Sequence, residues 1–264
     1  MIAIGITIYN PSTEQVVRIN ELSKKFKIYA FLNSDVCTPL DFSIENLGNK
    51  SNQGVSKALN DMMKKADADG FAYILFFDQD TSFDLLNEKS LNNLIKEFKN
   101  ERLGAVGMKI YKNQRNDIIT PYLITSGTVY SIKRSLSIGG FDERLFIDEV
   151  DIAHHHKLFR NGYFSLSLCK YSFEHPIGDT KSKVFFGQKI SSSNHSPIRR
   201  YYMARNRLLT YRTYRENEVR NILSLMLIEP LRIVLVEKNK LKKLYYFLLG
   251  VLHYHQKKFH ELRK

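Results

Sequence analysis

Short, unbroken apolar runs alternate with stretches in which apolar residues recur at helical spacing. Residues 2–8, IAIGITI, are apolar and β-branched and predict a first strand, which Tyr9-Asn10-Pro11 ends. Ser12 and Thr13 cap a predicted helix to about residue 26. Residues 28–32 predict a second strand, ending in Asn33-Ser34-Asp35, and a loop with a short strand near 42–47 follows. Asn52-Gln53-Gly54 opens a helix to about 66. From Phe71 to Phe77 the chain is apolar or aromatic without a charge. A run so short and aromatic predicts a strand buried in a parallel sheet. A helix near 85–100 and a strand at 105–111 complete a doubly wound α/β half.

Beyond about residue 112 the pattern changes. Residues 124–132 predict a strand containing Ser126 and Gly127, and Gly139-Gly140-Phe141-Asp142-Glu143 predicts a turn. Asp148-Glu149-Val150-Asp151 opens a helix that Gly162 closes. A strand at 163–174 and a mobile, polar loop at 176–198 come next, and from Ile198 the chain reads as helical, basic and aromatic.

Parallel sheets place their chemistry at the carboxyl ends of strands. There stand Asp78 and Asp80, whose hard oxygens suit Mg²⁺ or Mn²⁺ carrying substrate phosphates. The other reading is a turn and helix cap, since Asp favours both. Asp148, Glu149 and Asp151 form a second cluster, suited to general-base work or, more plainly, to capping and solvated charge. His175 follows a predicted strand and is a metal-ligand candidate or a structural histidine. His154, His155 and His156 point in different directions on a helix and cannot share one metal.

Length and charge alter the picture in one respect. The 264 residues suffice for one large α/β domain or a domain with an appendage. The net charge is +13, and residues 199–264 hold sixteen Lys or Arg against five Asp or Glu. The basic excess therefore belongs to the C-terminal quarter and predicts an anionic partner. From Leu241 to Leu252 an apolar stripe runs along a basic helix, softly broken at Gly250. An interfacial helix on an anionic membrane fits this pattern; a homodimer interface and internal packing are the rivals. Two cysteines, Cys37 and Cys169, give no disulfide framework and point to a reducing compartment. The N-terminus reads as a strand rather than a signal peptide, and no apolar run is long enough for a transmembrane helix.

These residues carry a resemblance. Ile6 to Asn10, Asn52-x-Gly54-x-x-x-Ala58-x-Asn60, Asp78-Gln79-Asp80, Gly139 to Glu143 and Asp148 to Asp151 resemble, in order, the motifs of glycosyltransferase family 2. The form Phe-Asp-Gln-Asp-Thr is most like the rhamnosyltransferase branch, with galactofuranosyltransferases close by. The resemblance implies an α/β GT-A fold, with a mixed central sheet flanked by helices and a basic helical C-terminal extension. It places a GT-A domain at 1–210, with a donor half at about 1–112 and an acceptor half at 113–198, and an amphipathic helical region at 211–264. It implies an inverting, metal-dependent transfer of a sugar, first of all L-rhamnose from dTDP-rhamnose, otherwise a hexose from a UDP-sugar. The acceptor would be lipid-linked glycan or polysaccharide in cell-surface glycan synthesis. The enzyme would work in the cytoplasm, peripheral on the inner face of the plasma membrane.

Residue by residue, Mg²⁺ or Mn²⁺ falls to Asp78, Asp80 and His175. The nucleotide-sugar falls to Tyr9, Asn10, Asn33, Asp35, Asn52, Gly54, Asp78, Gln79 and Arg205, the last toward the diphosphate. Asp148 is the first candidate for the base and Glu149 the second, because the usual motif aligns its base with Glu149; Asp151 would organise the site. Ser126 and Gly127 fall on the acceptor side. The chain lacks the usual Asp after strand two, which leaves the nucleobase open. A basic nucleic-acid-binding protein is the reading from another class, weakened by acids at strand ends, and no nucleic-acid partner is expected. A nucleotidyltransferase would need a Gly-rich basic loop after strand one, where Asn10-Pro11-Ser12-Thr13 stands.

Overall fold

The structure, a computed structural model, describes residues 1–36, 38–81, 88–107, 114–170, 181–185, 188–192, 194–214 and 219–262. The chain divides into two compact units, Met1–Glu143 with Val150–His175, and Arg144–Glu149 with Pro176–Lys264.

The first unit is built on β1 (Ile2–Ile8), β2 (Ile28–Leu32), β3 (Glu45–Leu47), β4 (Tyr73–Asp78), β5 (Leu103–Gly107), β6 (Ile118–Ile119), β7 (Thr128–Ser131) and β8 (Phe164–Ser167). They form one mixed sheet in the order β3-β2-β1-β4-β7-β5-β8-β6. The apolar run at 71–77 becomes the centre of this sheet, with Ile74 to Phe77 at most 2% exposed. β4 runs parallel to β1, with Thr7 opposite Asp78, and antiparallel to β7. The sheet is therefore all-parallel from β3 to β4 and mixed beyond it, where β7 runs antiparallel to both β4 and β5 while β5 and β8 pair in parallel. The helices are α1 (Thr13–Ser23), α2 (Val55–Ala68), α3 (Glu88–Glu97), α4 (Ile132–Ser137) and α5 (Val150–Arg160). Ser12 and Gln15 close a capping box on α1, as the sequence predicts for its start.

Two strands are shorter than their patterns suggest. The strand expected at 124–132 is confined to β7, because Ile132 already begins α4, and the strand expected at 163–174 is β8, which ends at Ser167, residues 171–174 lying outside the described residues. The stretch at 176–198 also departs from expectation. It contains a hairpin, β9 (Lys181–Phe185) with β10 (Gln188–Ser192), in which Lys181 pairs with Ser192. Main-chain pairing needs no apolar side chains, so a Lys- and Ser-rich composition hid it.

The second unit adds α6 (Pro197–Thr213), α7 (Val219–Val236) and α8 (Lys240–His255). Ser196 caps α6 and Pro197 opens it, an arrangement suited to a helix start. Ala204, Leu208, Leu225, Ile233 and Phe247 form its apolar core. Gly250 is not a soft break: a Cβ there would press on the Tyr201 carbonyl oxygen, so glycine lets α6 and α8 approach closely. Beside this core lies a buried ion cluster. Glu237 takes Arg200, Lys243 (2.8 Å) and the Ser192 hydroxyl, and Arg200 also reaches Glu229 at 3.0 Å. Burial alone would push the Glu237 carboxyl up, but its hydrogen bonds and the Arg200 charge outweigh this and hold it below its ordinary value. Among the described residues no helix is long and apolar enough to cross a membrane.

Candidate active site

In the first unit the parallel pairing of β1 and β4 brings two strand ends together, and Gln79 joins them. Its Oε1 accepts the Tyr9 N–H at 2.8 Å and its Nε2 donates to the Tyr9 carbonyl at 3.0 Å. The next residues turn back, with the Thr81 N–H donating to the Asp78 carbonyl at 3.1 Å. Ser126 supports this turn from within. Its hydroxyl accepts the Asp78 N–H at 3.1 Å and bonds the Thr81 hydroxyl at 2.7 Å. Gly127, at φ +78, donates its N–H to the Phe76 carbonyl at 2.7 Å. The side chains of Asp78 and Asp80 are left exposed.

Two expectations change here. Ser126 and Gly127 are buried beneath the turn, so they shape the acidic site rather than meet an acceptor. The amide of Gln79 is taken up by the main chain of Tyr9, which makes it a clasp rather than a donor contact.

The other residues expected on the donor side hold the neighbouring loops. Asn10, at φ +46, donates its N–H to Ser34 Oγ at 2.6 Å. Asn33 is buried, and its Oδ1 accepts the Gln53 N–H at 2.8 Å. Asn52 Oδ1 accepts the Gly54 N–H at 3.1 Å, and Gly54 starts α2 at φ +84. Asp35 is exposed and pairs with Lys50 at 3.2 Å. Tyr9 keeps 51% of its surface. These bonds gather Tyr9, Asn10, Asn33 and Gln79 at the carboxyl ends of β1, β2 and β4.

The Gly139-to-Glu143 turn is locked to α2. Asn60 accepts the Phe141 N–H at 2.8 Å and donates to the Phe141 carbonyl at 2.9 Å and to Glu143 at 2.8 Å. Gly140, at φ +60, leaves the space that Asn60 Oδ1 fills. Behind it His154 is bonded to the Gly140 carbonyl and to Ser135, each at 3.2 Å, and His155 to Ser165 at 2.7 Å. Burial drives both imidazoles down, His154 to about 3, so the pair is neutral and structural. Asp151 lies in the first turn of α5, its Oδ1 accepting the Ile152 N–H at 2.9 Å.

In the second unit Asp148 and Glu149 directly precede Val150, where the expected helix begins, rather than lying within it. Both adopt left-handed conformations, at φ +63 and +65, which side chains with a Cβ resist. Helix α6 holds them there. Arg199 donates Nε and Nη2 to Asp148 Oδ1, at 3.1 and 3.0 Å. Arg207 Nε reaches Glu149 Oε1 at 3.3 Å, and Asn206 Nδ2 donates to the Ile147 carbonyl at 2.5 Å.

Arg205 corrects an expectation. It is 0% exposed, its guanidinium donating to Asn206, the Tyr201 hydroxyl and the carbonyls of Arg144 and His260. It staples the second unit and has no nitrogen to offer a diphosphate. Nothing in the sequence separated it from Arg199 and Arg207, since only the helix register decides which arginine turns inward. His175 lies outside the described residues.

A metal finds a fitting donor set in the two exposed carboxylates of Asp78 and Asp80. Among the described residues no group of three or more His, Cys, Asp or Glu could hold an ion. Two oxygen donors fit an ion that completes its shell with water and phosphate oxygens, as Mg²⁺ does.

The family model for glycosyl transferase family 2 matches residues 32–165, half of the chain. The chain belongs to that family. Among curated proteins, dTDP-rhamnosyl transferase RfbF of Shigella flexneri is 29% identical over 230 residues, covering 76% of this chain and 75% of that one. The mannosyltransferase PcManGT from Pyrobaculum calidifontis, solved in complex with GDP-Man and Mn²⁺, superposes with a TM-score of 0.58 at 12% identity, covering 95% of this chain and 75% of that chain. S. aureus TarS 1-349 in complex with UDP-GlcNAc gives 0.50 at 13% identity, covering 98% and 73%. At such identities the structural likeness speaks for the fold alone, and it is the GT-A fold. This member of family 2 is accordingly a glycosyltransferase that uses a nucleotide-sugar.

Proposed function

We propose that this family 2 enzyme is a divalent-metal-dependent, inverting rhamnosyltransferase that takes L-rhamnose from dTDP-rhamnose. The observation that carries the reading is the 29% identity to a dTDP-rhamnosyl transferase over 230 residues; the exposed Asp78–Asp80 turn agrees with it. A bound Mg²⁺ or Mn²⁺ would supply Lewis-acid stabilisation of the departing diphosphate. Asp78 and Asp80 would hold that ion, kept in place by Gln79 and Ser126. Tyr9, Asn10 and Asn52 would orient the nucleoside. Asp148, with Glu149 as the second candidate, would take the proton of the acceptor hydroxyl as it attacks the anomeric carbon in line. No covalent intermediate on the enzyme is involved.

The test is a donor panel scored by release of nucleoside diphosphate, with and without EDTA. Turnover of dTDP-rhamnose that EDTA abolishes supports the reading. Preference for a UDP-hexose would replace rhamnose by the galactofuranosyl or other hexosyl alternative. Turnover unaffected by EDTA would remove the metal.

A lipid-linked acceptor on an anionic leaflet fits the second unit. Leu227 and Leu231 of α7 are 68% and 52% exposed, and Leu241, Tyr245 and Leu248 of α8 are 84%, 62% and 61% exposed. Lys238, Lys240 and Lys242 stand exposed at the turn between these helices, and an apolar face rimmed by lysine complements anionic lipid. The face is narrower on α8 than the sequence suggests, because Leu244 and Leu249 pack inward. Co-sedimentation with phosphatidylglycerol vesicles, lost for phosphatidylcholine alone and in Leu227→Ser/Leu248→Ser, is the expected result. No vesicle binding but a concentration-dependent dimer in light scattering would give the face to a second copy.

A further inference from the structure

We infer that Arg199 is a positioning residue that fixes which oxygen of Asp148 works, holding Oδ1 and leaving Oδ2 to receive the proton. The inference rests on the proposed role of Asp148 as base. An arginine fork usually spreads over a carboxylate, one N–H to each oxygen. Here both donors, Nε at 3.1 Å and Nη2 at 3.0 Å, converge on Oδ1. Oδ2 is buried and has no hydrogen-bond partner among the described residues. A buried carboxylate oxygen without a donor is costly to keep, and its retention is intelligible where a substrate hydroxyl completes it.

The backbone supports the same assignment. Consecutive left-handed residues at Asp148 and Glu149 persist only where their surroundings over-determine them. Positions 199, 206 and 207 share one face of α6 and grip Asp148 Oδ1, the Ile147 carbonyl and Glu149 Oε1 respectively. Arg207 is braced in turn by Glu229 at 3.4 Å, which also binds Arg232 at 2.8 Å. The helix thus acts as a jig for the two acids. Arg199 is its exposed end, its side chain keeping 46% of its surface, so replacing it should spare the fold.

The experiment compares Arg199→Ala, Arg199→Lys, Asp148→Asn and the double variant Arg199→Ala/Asp148→Asn, using hydrolysis of dTDP-rhamnose as the probe. Arg199→Ala is expected to lower kcat by about 10²-fold with donor KM unchanged, the scale on which a misplaced group acts. Arg199→Lys, which keeps one point of contact, should recover part of the loss. The double variant should be no slower than Asp148→Asn alone, since Arg199 acts only through Asp148. Thermal unfolding of Arg199→Ala should match the wild type. A rise in donor KM with kcat intact would make Arg199 a donor contact and overturn the inference, as would additive losses in the double variant. If Asp148→Asn is slow while Arg199→Ala is as fast as the wild type, the positioning role fails alone. If Asp148→Asn turns over normally, the base assignment fails first.

Discussion

The two acidic segments hold like groups in unlike ways. At the end of β4 the carboxylates of Asp78 and Asp80 are exposed, and neutral groups fix the turn that carries them: Gln79 on Tyr9, Ser126 on Asp78 and Thr81. In the second unit the side chains of Asp148 and Glu149 keep 15% and 9% of their surface, and arginines fix them. A neutral scaffold fixes the turn and adds no positive charge of its own to offset the negative charge of the exposed acids. A guanidinium partner offsets part of that charge in advance and fixes orientation instead, as a buried or half-buried carboxylate requires. The first arrangement suits an ion that comes with substrate and leaves with product; the second suits a group that must stand in one place.

The sharpest way to break this contrast is to remove one acid from each segment. Asp80→Ala should cost about 10³-fold in donor turnover and should raise the Mn²⁺ concentration needed for half-maximal rate. Asp148→Asn should cost about 10²- to 10⁴-fold with that concentration unmoved. Steady-state rates across a Mn²⁺ series distinguish the two. If both variants shift the metal requirement alike, or if Asp80→Ala turns over normally, the division of labour is wrong.

How far this was visible in the sequence differs between the two segments. The acidic turn was legible because its signal is local: the apolar run from Phe71 to Phe77 fixes a central strand, and the acids follow directly. Asn60 and Gly140 were legible as parts of motifs, although not as partners, since the side chain that fills the space beside Gly140 comes from eighty residues earlier in the chain. The helix expected from 148 is there but begins at Val150, and the left-handed pair just before it leaves no mark in the sequence when neither residue is glycine. The clasp of Arg205 and the buried Glu237 were not legible either. Arg205 depends on which face of α6 turns inward, and Glu237, between α7 and α8, depends on Arg200 and Lys243 turning toward it; periodicity describes apolar faces better than charged ones.

Acid titration sharpens the comparison at the level of stability. His154 is held down to about 3 against an ordinary 6.5. The unfolded chain therefore binds its proton first, and the first unit should lose stability as pH falls from about 6.5 toward 3, with a slope of up to about 1.4 kcal/mol per unit from this group. Glu237 is held below its ordinary 4.5, so its contribution is complete above that value and is lost only as pH falls further. Urea midpoints followed from neutral to acid pH should show a decline starting near 6.5 that His154→Asn lessens, leaving the part due to His155, and that Glu237→Gln does not lessen. Glu237→Gln should instead cost about 3 kcal/mol at neutral pH, because Arg200 and Lys243 lose a buried counter-charge. A variant as stable as the wild type would show that the cluster is solvated rather than buried.

The smallest expected effect tests whether the neutral scaffold serves the metal at all. Ser126→Ala removes the acceptor of the Asp78 N–H and the partner of the Thr81 hydroxyl, both within a turn whose Thr81 is 1% exposed. The stability loss should be about 1 kcal/mol. Because the hydroxyl orients the residues that would hold the ion, the half-saturating Mn²⁺ concentration should rise about tenfold, as for other groups that stand behind metal ligands. Ser126→Thr, which keeps the hydroxyl, should restore the metal response even if its extra methyl strains the packing. An equal loss of stability in both variants with metal response intact would reduce Ser126 to a packing residue. A raised acceptor KM with metal response intact would return it to the acceptor side, where the resemblance alone had put it.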